Sequence, residues 1–353
     1  MKKILFDIGH PAQVHNFKNI YWDLEKRGWK GVFVTKDKEI CVDLLKKYNL
    51  PFIILSKNRK GILKKITFLI KDIFKFYTIT KSFKPNIVLN RMSIHSTLVC
   101  KIFKINQISM ADTEKSLNLS FLTDTIVTAT SFNKDFGDKH IRYRGSIELF
   151  YLHPNWFKAD NSIYKLLNIE KEEKYAIIRF VSWNAHHDIG QKGFSYKQKV
   201  ELVKKLSKRI KVFISSEIEL PPELNRYKIT IPIDRMHDAL YFSSIYIGEG
   251  ASMALESAIL GRPAIYVNTL NDAGIFKELE DEGLFYIINN GTEAISKAID
   301  IIDNHSKELY IKKKEKYIQK KIDITSFIVW FIENYPNSIK IVKDNPNYLL
   351  RFK

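Results

Sequence analysis

The hydrophobic and polar positions in the first half of the chain follow two alternating periods. Short apolar runs of strand length are separated by segments whose apolar residues recur every three or four positions, as on one face of a helix. The runs predict strands at KKILFDIG, KGVFVTK and PFIIL, and the periodic segments predict helices at VHNFKNIYWDLEKRG and EICVDLLKKYN. This alternation is the unit of a doubly wound parallel sheet, and PNIVLN, HSTLVCKIF, INQISMADT and TDTIVTAT continue it.

A second series of the same kind begins after the pattern loosens near HIRYRGSIELFYLHPNW. It predicts strands at YAIIRFVS and IKVFISSE, a helix at KQKVELVKKLSKR and a short helix at MHDALYFSS. The sequence therefore predicts an α/β protein with two Rossmann-like domains, 1–155 and 156–335, and a basic tail, 336–353. The helix in ITSFIVWFIENY could cross back to the first domain, and the tail could pack there.

Residues 248–265, GEGASMALESAILGRPAI, combine a strand end, a glycine turn and a helix. Such a turn exposes backbone N–H groups at a helix N-terminus, which suits phosphate oxygens, and Glu256 lies about one turn further on, where a carboxylate can bind sugar hydroxyls. The alternative is a structural turn followed by a solvated glutamate. Ligands of open parallel sheets bind beyond the carboxyl ends of strands, so we expect a site in a cleft between the domains.

Composition and charge change this picture in one respect. The 353 residues are 45% hydrophobic and carry a formal net charge of +18, which favours polyanionic partners. Residues 57–84 alternate lysines with Ile, Leu and Phe, as in a helix at an anionic membrane surface or in a helix with one buried and one solvated face. We find no recognition motif for nucleic acid and expect none to bind.

Cysteines and apolar segments add further expectations. Cys41 and Cys100 lie in apolar contexts without metal-ligand spacing and are expected to be free core thiols. No apolar run reaches the ~20 residues that cross a bilayer, and the first residues lack a signal-peptide pattern. We therefore expect a cytoplasmic protein, with peripheral contact to the inner face of the membrane as an open alternative.

The loop after the first strand, DIGHPAQVH, carries the first candidates for chemistry. His10 and His15 have a side chain suited to general-base catalysis near neutral pH, although capping and packing are the alternatives. Gly9, Pro11 and Gln13 surround His10 and are candidates for contact with an acceptor. Asp7, at the end of the strand, is expected to be structural or to orient the loop.

ADTEKS provides two more candidates in this half. Asp112 is a candidate alternative base, and Glu114 a candidate ligand for acceptor hydroxyls. Both carboxylates could instead cap a helix without any function.

The loop RFVSWNAHHDIGQKG carries candidates for phosphate binding in the second half. We expect Arg179 and Lys192 to neutralise phosphate and Ser182 and Asn184, next to Trp183, to bind it. His186, His187 and Asp188 could suggest a metal, but adjacent side chains of a loop point apart and no second cluster occurs at ligand spacing. Further candidates for the donor are Arg235, Met236 and His237, which could contact a base or pack, and Asn271 and Asp272, which could reach the sugar.

These segments resemble known enzymes. GEGASMALESAILGRPAI is similar to the nucleotide-binding segment of GT-B glycosyltransferases, particularly the peptidoglycan GlcNAc transferase and the UDP-GlcNAc 2-epimerases. The resemblance implies that Glu256 binds the ribose and that Gly250, Ala251 and Ser252 face the diphosphate, with Gly248 and Met253 beside them. It also implies stabilisation of the diphosphate without a metal or other cofactor.

More of the chain resembles a family of glycosyltransferases known as a domain of unknown function and related to the same superfamily. The matching pieces are DIGHPAQVHNFK, DTEKS, YRGSIELFYLHP, RFVSWNAHHDIGQKG and MHDALYFSSIYIGEGASMALESAILGRPAIYVN. One departure is that Gln13 stands where the peptidoglycan enzyme has its loop histidine, so that histidine's role does not transfer to this position.

The leading hypothesis is a glycosyltransferase that moves a hexosyl or N-acetylhexosaminyl group from a nucleotide sugar, expected to be UDP-linked, to a surface glycan or lipid-linked saccharide. An alternative is a UDP-GlcNAc 2-epimerase-like enzyme, against which the first loop is DIGHPAQ rather than the GTRPE type. A distant alternative, prompted by the charge, is a nucleic-acid-binding protein.

Overall fold

The computed structural model describes residues 1–37, 39–57, 62–112, 120–182, 193–269 and 274–353. Its strands are β1 Lys3–Ile8, β2 Lys30–Asp37, β3 Phe52–Lys57, β4 Ile87–Asn90, β5 Asn106–Ala111, β6 Thr125–Ala129, β7 His140–Tyr143, β8 Tyr175–Phe180, β9 Lys211–Ser216, β10 Ile245–Gly248, β11 Ala264–Tyr266 and β12 Phe285–Ile287. Its helices are α1 Pro11–Lys26, α2 Glu39–Lys47, α3 Ile62–Phe83, α4 Ile94–Phe103, α5 Leu149–Leu152, α6 Ile163–Leu166, α7 Tyr196–Leu206, α8 Met236–Phe242, α9 Ala251–Ile259, α10 Gly274–Asp281, α11 Gly291–Asn304, α12 Lys307–Gln319, α13 Ile324–Glu333 and α14 Asn337–Asp344. None of these described helices combines the length and the apolar composition that crossing a membrane requires.

The strands form two parallel sheets. The first has seven strands in the order β3-β2-β1-β4-β5-β6-β7, and the second has five in the order β12-β11-β10-β8-β9. The strand order reverses between β1 and β4 in the first sheet and between β8 and β10 in the second. These switch points are where open α/β sheets bind ligands. The predicted α/β class with two Rossmann-like sheets is confirmed.

The chain divides into two compact units. The first unit contains Met1–Trp156 and Lys321–Lys353, and the second unit contains Phe157–Lys320. The predicted end of the second domain at residue 335 is therefore wrong, because α13 belongs to the first unit, where it contacts α1 and α5. Asp323 fixes this return: it caps α13 through the N–H of Ser326, and it accepts hydrogen bonds from Asn155 and Trp156.

Both faces of the first sheet are buried, as expected for a parallel sheet. On one face Phe6 of β1 stacks on Phe33 of β2 at 4.7 Å between ring centroids. The other face forms an apolar core with α3 and α4, whose members are Leu5, Val32, Val34, Leu55, Phe76, Ile79, Val88, Val99 and Cys100. Cys100 and Cys41 are buried and are not joined in a disulfide, as predicted. This packing fixes the carboxyl ends of β1 and β4, where candidate side chains lie.

Candidate functional site

The glycine turn after β10 lies at the switch point of the second sheet, beside the end of β8. Gly248 pairs with Arg179 of β8, and a Cβ on Gly248 would lie 2.8 Å from the carbonyl oxygen of Arg179 and 2.6 Å from the hydroxyl oxygen of Tyr246. A side chain therefore cannot be added without displacing backbone. Gly250 is also close to β8, since its Cβ would lie 3.3 Å from Val181. The turn needs glycine because two strand ends approach closely.

Among the described residues, no side chain caps the N-terminus of α9, which in this sense is open. Its N-cap residue, Gly250, provides no capping side chain, and Ser252 is exposed while Ala251 and Met253 are half-buried. The first N–H groups of a helix have no partner within the helix and carry the positive end of its dipole. This end of α9 can therefore accept an anionic group such as a phosphate.

Glu256 lies in the second turn of α9 and is 6% exposed. Its Oε1 is 3.2 Å from Nε2 of His237, which is on α8 and is 7% exposed. The ring of Phe157 lies edge-on to His237. An imidazole donor at this distance orients the carboxylate, so Glu256 is a positioned buried acceptor and the solvated alternative is wrong.

Arg235 and Met236, at the start of α8, differ in their contacts. Arg235 donates through Nε to Asp238 at 2.7 Å and through Nη2 to the hydroxyl of Ser162 at 3.0 Å. These bonds hold the start of the second unit against α8. Met236, the first residue of α8, is half-buried, and its contact with a nucleobase stays a prediction.

Glu249 is a buried carboxylate of the glycine turn that was not predicted as part of the site. It lies between the two glycines and is 1% exposed. Its Oε2 accepts from the N–H of Val181 at 3.0 Å, its Oε1 accepts from the N–H of Phe194 at 2.9 Å, and Lys199 lies at 3.5 Å from Oε1. Burial raises the pKa of Glu249, although Lys199 and the two backbone donors act against this.

Glu249 therefore ties Val181 and Phe194, which lie close to the two ends of the β8–α7 connection, to the glycine turn. The signal for it in the sequence was a charged residue between two glycines directly after a buried strand. What the sequence could not show is that its partners would be backbone donors 55 and 68 positions away.

Arg179 and Ser182 are engaged with a partner that the sequence did not indicate. Arg179 donates to the Ser215 hydroxyl at 2.6 Å and to Glu217, and Ser182 donates to Glu217 through its N–H at 3.3 Å and its hydroxyl at 3.1 Å. Burial favours the neutral acid, but Arg179 and the donors of Ser182 outweigh it and hold the pKa of Glu217 below its ordinary value. Phosphate binding by Arg179 and Ser182 stays a prediction.

Several candidates lie outside the described residues, and their roles stay predictions: Glu114, Trp183, Asn184, His186, His187, Asp188, Lys192, Asn271 and Asp272. Within the described ranges, no group of three or more His, Cys, Asp or Glu side chains is placed to hold a metal. Because His186, His187 and Asp188 are not among those ranges, the expected absence of a metal also stays a prediction.

The turn after β1 is closed by its own side chains. His10 is the N-cap of α1, and its Nδ1 accepts from the N–H of Ala12 at 3.2 Å. Pro11 occupies the first helical position, and Gln13 Oε1 accepts from the N–H of Gly9 at 2.6 Å. Since Nδ1 is the acceptor, the neutral imidazole carries its proton on Nε2 and is a donor there. In this arrangement His10 caps α1, and its role as a general base stays a prediction, as do contacts of Gly9, Pro11 and Gln13 with an acceptor.

His15 packs inside the first unit. It is 8% exposed, and its ring contacts Tyr48 at 5.8 Å and Tyr151 at 5.4 Å between centroids. Its Nδ1 lies 3.4 Å from the hydroxyl of Tyr48. His15 therefore packs between aromatic rings, which was the alternative, and its catalytic role stays a prediction.

Asp112 lies at the carboxyl end of β5 and forms an ion pair with Arg91, which follows β4. Burial alone would lower the pKa of Arg91, but Asp112 outweighs this and the pKa is raised. The ion pair holds the carboxylate of Asp112 in place, and its candidate role as a base stays a prediction.

A buried pair at the switch point of the first sheet was not predicted. Asp7, the next-to-last residue of β1, accepts from Nε2 of His95 at 3.1 Å, and both are buried, at 3% and 8% exposed. Burial acts to raise the pKa of Asp7, but His95 and the hydroxyls of Ser93 and Ser96 outweigh it and the pKa is lowered. Asp7 thus orients the turn between β4 and α4, in line with the expected structural role. The signal was a histidine just after a strand end next to β1.

Comparison with known proteins supports the fold. The chain is 25% identical to the uncharacterized protein MJ0665 of Methanocaldococcus jannaschii over 307 residues, which cover 83% of this chain and 89% of the relative.

Solved structures with the same fold include three of interest. The Staphylococcus aureus MnaA–UDP structure has a TM-score of 0.68 at 14% identity, covering 96% of this chain and 98% of MnaA. The Streptomyces sp. SF2575 glycosyltransferase SsfS6, complexed with thymidine diphosphate, has a TM-score of 0.63 at 14% identity, covering 95% and 100%. The Neisseria meningitidis UDP-GlcNAc 2-epimerase bound to UDP-GlcNAc has a TM-score of 0.62 at 14% identity, covering 94% and 100%.

The fold is thus that of GT-B glycosyltransferases and UDP-GlcNAc 2-epimerases, as the resemblance implies. At such identities the structural likeness shows the fold alone. A family model, in contrast, matches residues 2–335, nearly the whole chain. The chain therefore belongs to the family described as Protein of unknown function (DUF354).

Proposed function

We propose that the protein is a metal-independent glycosyltransferase. It transfers a hexosyl or N-acetylhexosaminyl group from a UDP-linked donor to a surface-glycan or lipid-linked saccharide acceptor in the cytoplasm. The observation that carries this proposal is the open N-terminus of α9 behind the glycine turn, with the buried, oriented carboxylate of Glu256 in the next turn.

Each part of this arrangement suits one part of a nucleotide sugar. The N–H groups of Ala251, Ser252 and Met253 and the helix dipole stabilise the charge of a diphosphate, including the charge that develops as it leaves. A carboxylate beyond them accepts hydrogen bonds from ribose hydroxyls, and His237 holds it in one orientation. The structures of the same fold that contain UDP, thymidine diphosphate or UDP-GlcNAc support a donor of this class.

The first unit offers groups for an acceptor at the carboxyl ends of its central strands. Asp112 can accept from sugar hydroxyls, while Nε2 of the neutral His10 can donate to a sugar oxygen. For His10 to remove a proton at Nε2, its neutral tautomer would have to change, which breaks the cap on α1. We therefore propose that His10 and Asp112 bind the acceptor.

Calorimetric titration and thermal-shift measurements with UDP, GDP, CDP, dTDP and ADP test the donor site. We expect UDP to bind, and Glu256→Gln to weaken it by on the order of tenfold, since a carboxylate that accepts two hydroxyls is lost. The control is Glu293→Gln, in the first turn of α11, whose N-terminus is already capped by Asn290. The assignment of the donor site to α9 and Glu256 would be contradicted if no nucleotide binds, or if the Glu256→Gln and Glu293→Gln variants bind UDP equally well.

A second candidate is a nucleotide-sugar epimerase, because the Neisseria UDP-GlcNAc 2-epimerase shares this fold. The two functions differ in their need for an acceptor. Incubation with UDP-GlcNAc alone, followed by NMR of the sugar, gives the C2 epimer for an epimerase and unchanged donor for a transferase. Formation of the epimer would replace our proposal with this candidate.

A further inference from the structure

Over residues 69–83, helix α3 buries one face in the core of the first unit. Phe76 and Ile79 are 0% and 9% exposed and belong to the apolar cluster with β1–β4 and α4. Asp72, on the same side, is 1% exposed and pairs with Lys36 at 2.9 Å. These contacts fix the rotation of the helix, so the opposite side is directed outward.

The outward side carries large apolar residues at its centre. Ile70 is 51% exposed and Phe74 is 68% exposed. They are four positions apart and therefore neighbours on the helix surface, and Lys81 lies in the same row. A single exposed apolar residue is common on protein surfaces. Ile70 and Phe74, in contrast, are adjacent and lie opposite the side that packs in the core, so they do not contribute to the core.

The charges beside them have one sign. Lys71 and Lys75 are exposed next to Phe74, and Lys81 and Lys84 are exposed further along. The acidic residue of the stretch 69–84, Asp72, is buried on the core side. The outward side of this described stretch is therefore apolar at its centre, basic at its margins and without an exposed carboxylate.

We propose that this surface, the α3 outer face formed by Ile70, Lys71, Phe74, Lys75 and Lys81, binds the surface of an anionic lipid bilayer. Phe74 and Ile70 enter the boundary between headgroups and acyl chains, and the lysines reach the phosphates with their stems over apolar surface. A second copy of the chain fits poorly, because its identical lysines would face these. The proposal does not depend on the donor chemistry.

Helix α12 provides an internal contrast. It is also rich in lysine and has a partly exposed apolar residue, Leu309, at 41%. Its sequence includes Glu308 and Glu315, so two carboxylates stand beside its lysines. We therefore expect α12 to remain in solvent, which makes it the source of matched controls.

Sedimentation with vesicles tests the proposal on the full chain. The vesicles are phosphatidylcholine alone, or phosphatidylcholine and phosphatidylglycerol in equal parts. We expect binding to the anionic vesicles, weakened by salt, and a loss of affinity on the order of tenfold for Phe74→Ser. Lys71→Glu combined with Lys75→Glu is expected to lose at least as much, since each lysine near the surface adds attraction.

The matched controls are Leu309→Ser in α12 for the apolar change and, for the charge change, Lys312→Glu in α12 combined with Lys208→Glu at an exposed lysine just after α7. We expect both to bind as the wild type does, and all variants to keep its unfolding temperature. Three results would overturn the proposal: equal binding to both kinds of vesicle, equal losses in the α3 variants and the controls, or a lipid-free dimer that Phe74→Ser converts to a monomer. The last would assign the α3 outer face to contact between copies.

Discussion

The turns after β10 in the second unit and after β1 in the first both lie at the switch points of their sheets and are built in opposite ways. After β1, His10 caps α1 and Gln13 pairs with the N–H of Gly9, so the turn satisfies its own donors. After β10, Gly250 offers no capping side chain and the start of α9 stays open. The same topology therefore yields one self-satisfied helix end and one that can bind an anion.

The two turns also differ in how they are held. Glu249 holds the β10 turn in place, because its buried carboxylate accepts hydrogen bonds from two backbone N–H groups. A Cβ on Gly248 would collide with backbone, whereas a Cβ on Gly9 would meet nothing within 4 Å. Because Gly250 supplies no capping side chain, the rigidity of the β10 turn comes from the neighbouring strand and loop.

The largest effect is expected from removing Glu249. Glu249→Ala leaves Lys199 buried without its carboxylate and two backbone N–H groups without an acceptor, so we expect a loss of about 3–5 kcal/mol in the free energy of unfolding. Glu217→Ala is the matched change at a more exposed carboxylate and should cost about 1 kcal/mol or less. Urea denaturation measures both; equal costs would show that Glu249 does not hold the turn.

Gly248→Ala is expected to come next. The added methyl group meets the Arg179 carbonyl, so we expect a loss of about 1–3 kcal/mol in the free energy of unfolding. Gly9→Ala in the other turn should lie within about 0.5 kcal/mol of the wild type, because the space is open. Thermal unfolding of the pair checks this, and a Gly9→Ala loss as large as that of Gly248→Ala would contradict the difference between the turns.

Gly250→Asp converts the open helix end into a closed one. The new carboxylate is expected to accept from the first N–H groups of α9 and to repel phosphate, so UDP affinity should fall by on the order of tenfold, or about 1.4 kcal/mol. Calorimetric titration measures the affinity, with Ser195→Asp at the already capped start of α7 as the control. Undiminished UDP binding would show that α9 does not hold the diphosphate.

His10→Ala opens the closed turn. Loss of the cap on α1 is expected to cost about 1 kcal/mol in unfolding free energy, while His10→Asn, which keeps an acceptor, should recover most of it. UDP affinity should be unchanged in both, because this turn belongs to the other unit. Chemical denaturation and titration check the two parts, and an alanine variant as stable as the wild type would remove the capping role.

The sequence predicted those features of the site that depend on local pattern. GEGASMALE specified a strand, a glycine turn and a helix with Glu256 one turn in, because turn residues and helix periodicity act over a few positions. Local pattern also left two roles open for His10, general base and helix cap, because it shows a histidine after a strand end but not its partners. The sequence could not indicate that His237 orients Glu256 or that His95 donates to Asp7, because these pairs join residues that are 19 and 88 positions apart.

By itself, the sequence determined β1–β6, β8–β11 and the parallel class of the sheets, because hydrophobic period and connection length fix these locally. It did not predict β7 or β12. Only the tertiary structure decided which helix ends are open, which carboxylates are buried and where α13 packs. These depend on the approach of strand ends, on donors brought in from distant loops and on which apolar surface is left to be covered. A hydrophobic pattern predicts that a face is buried, but only the tertiary structure shows which element packs against it.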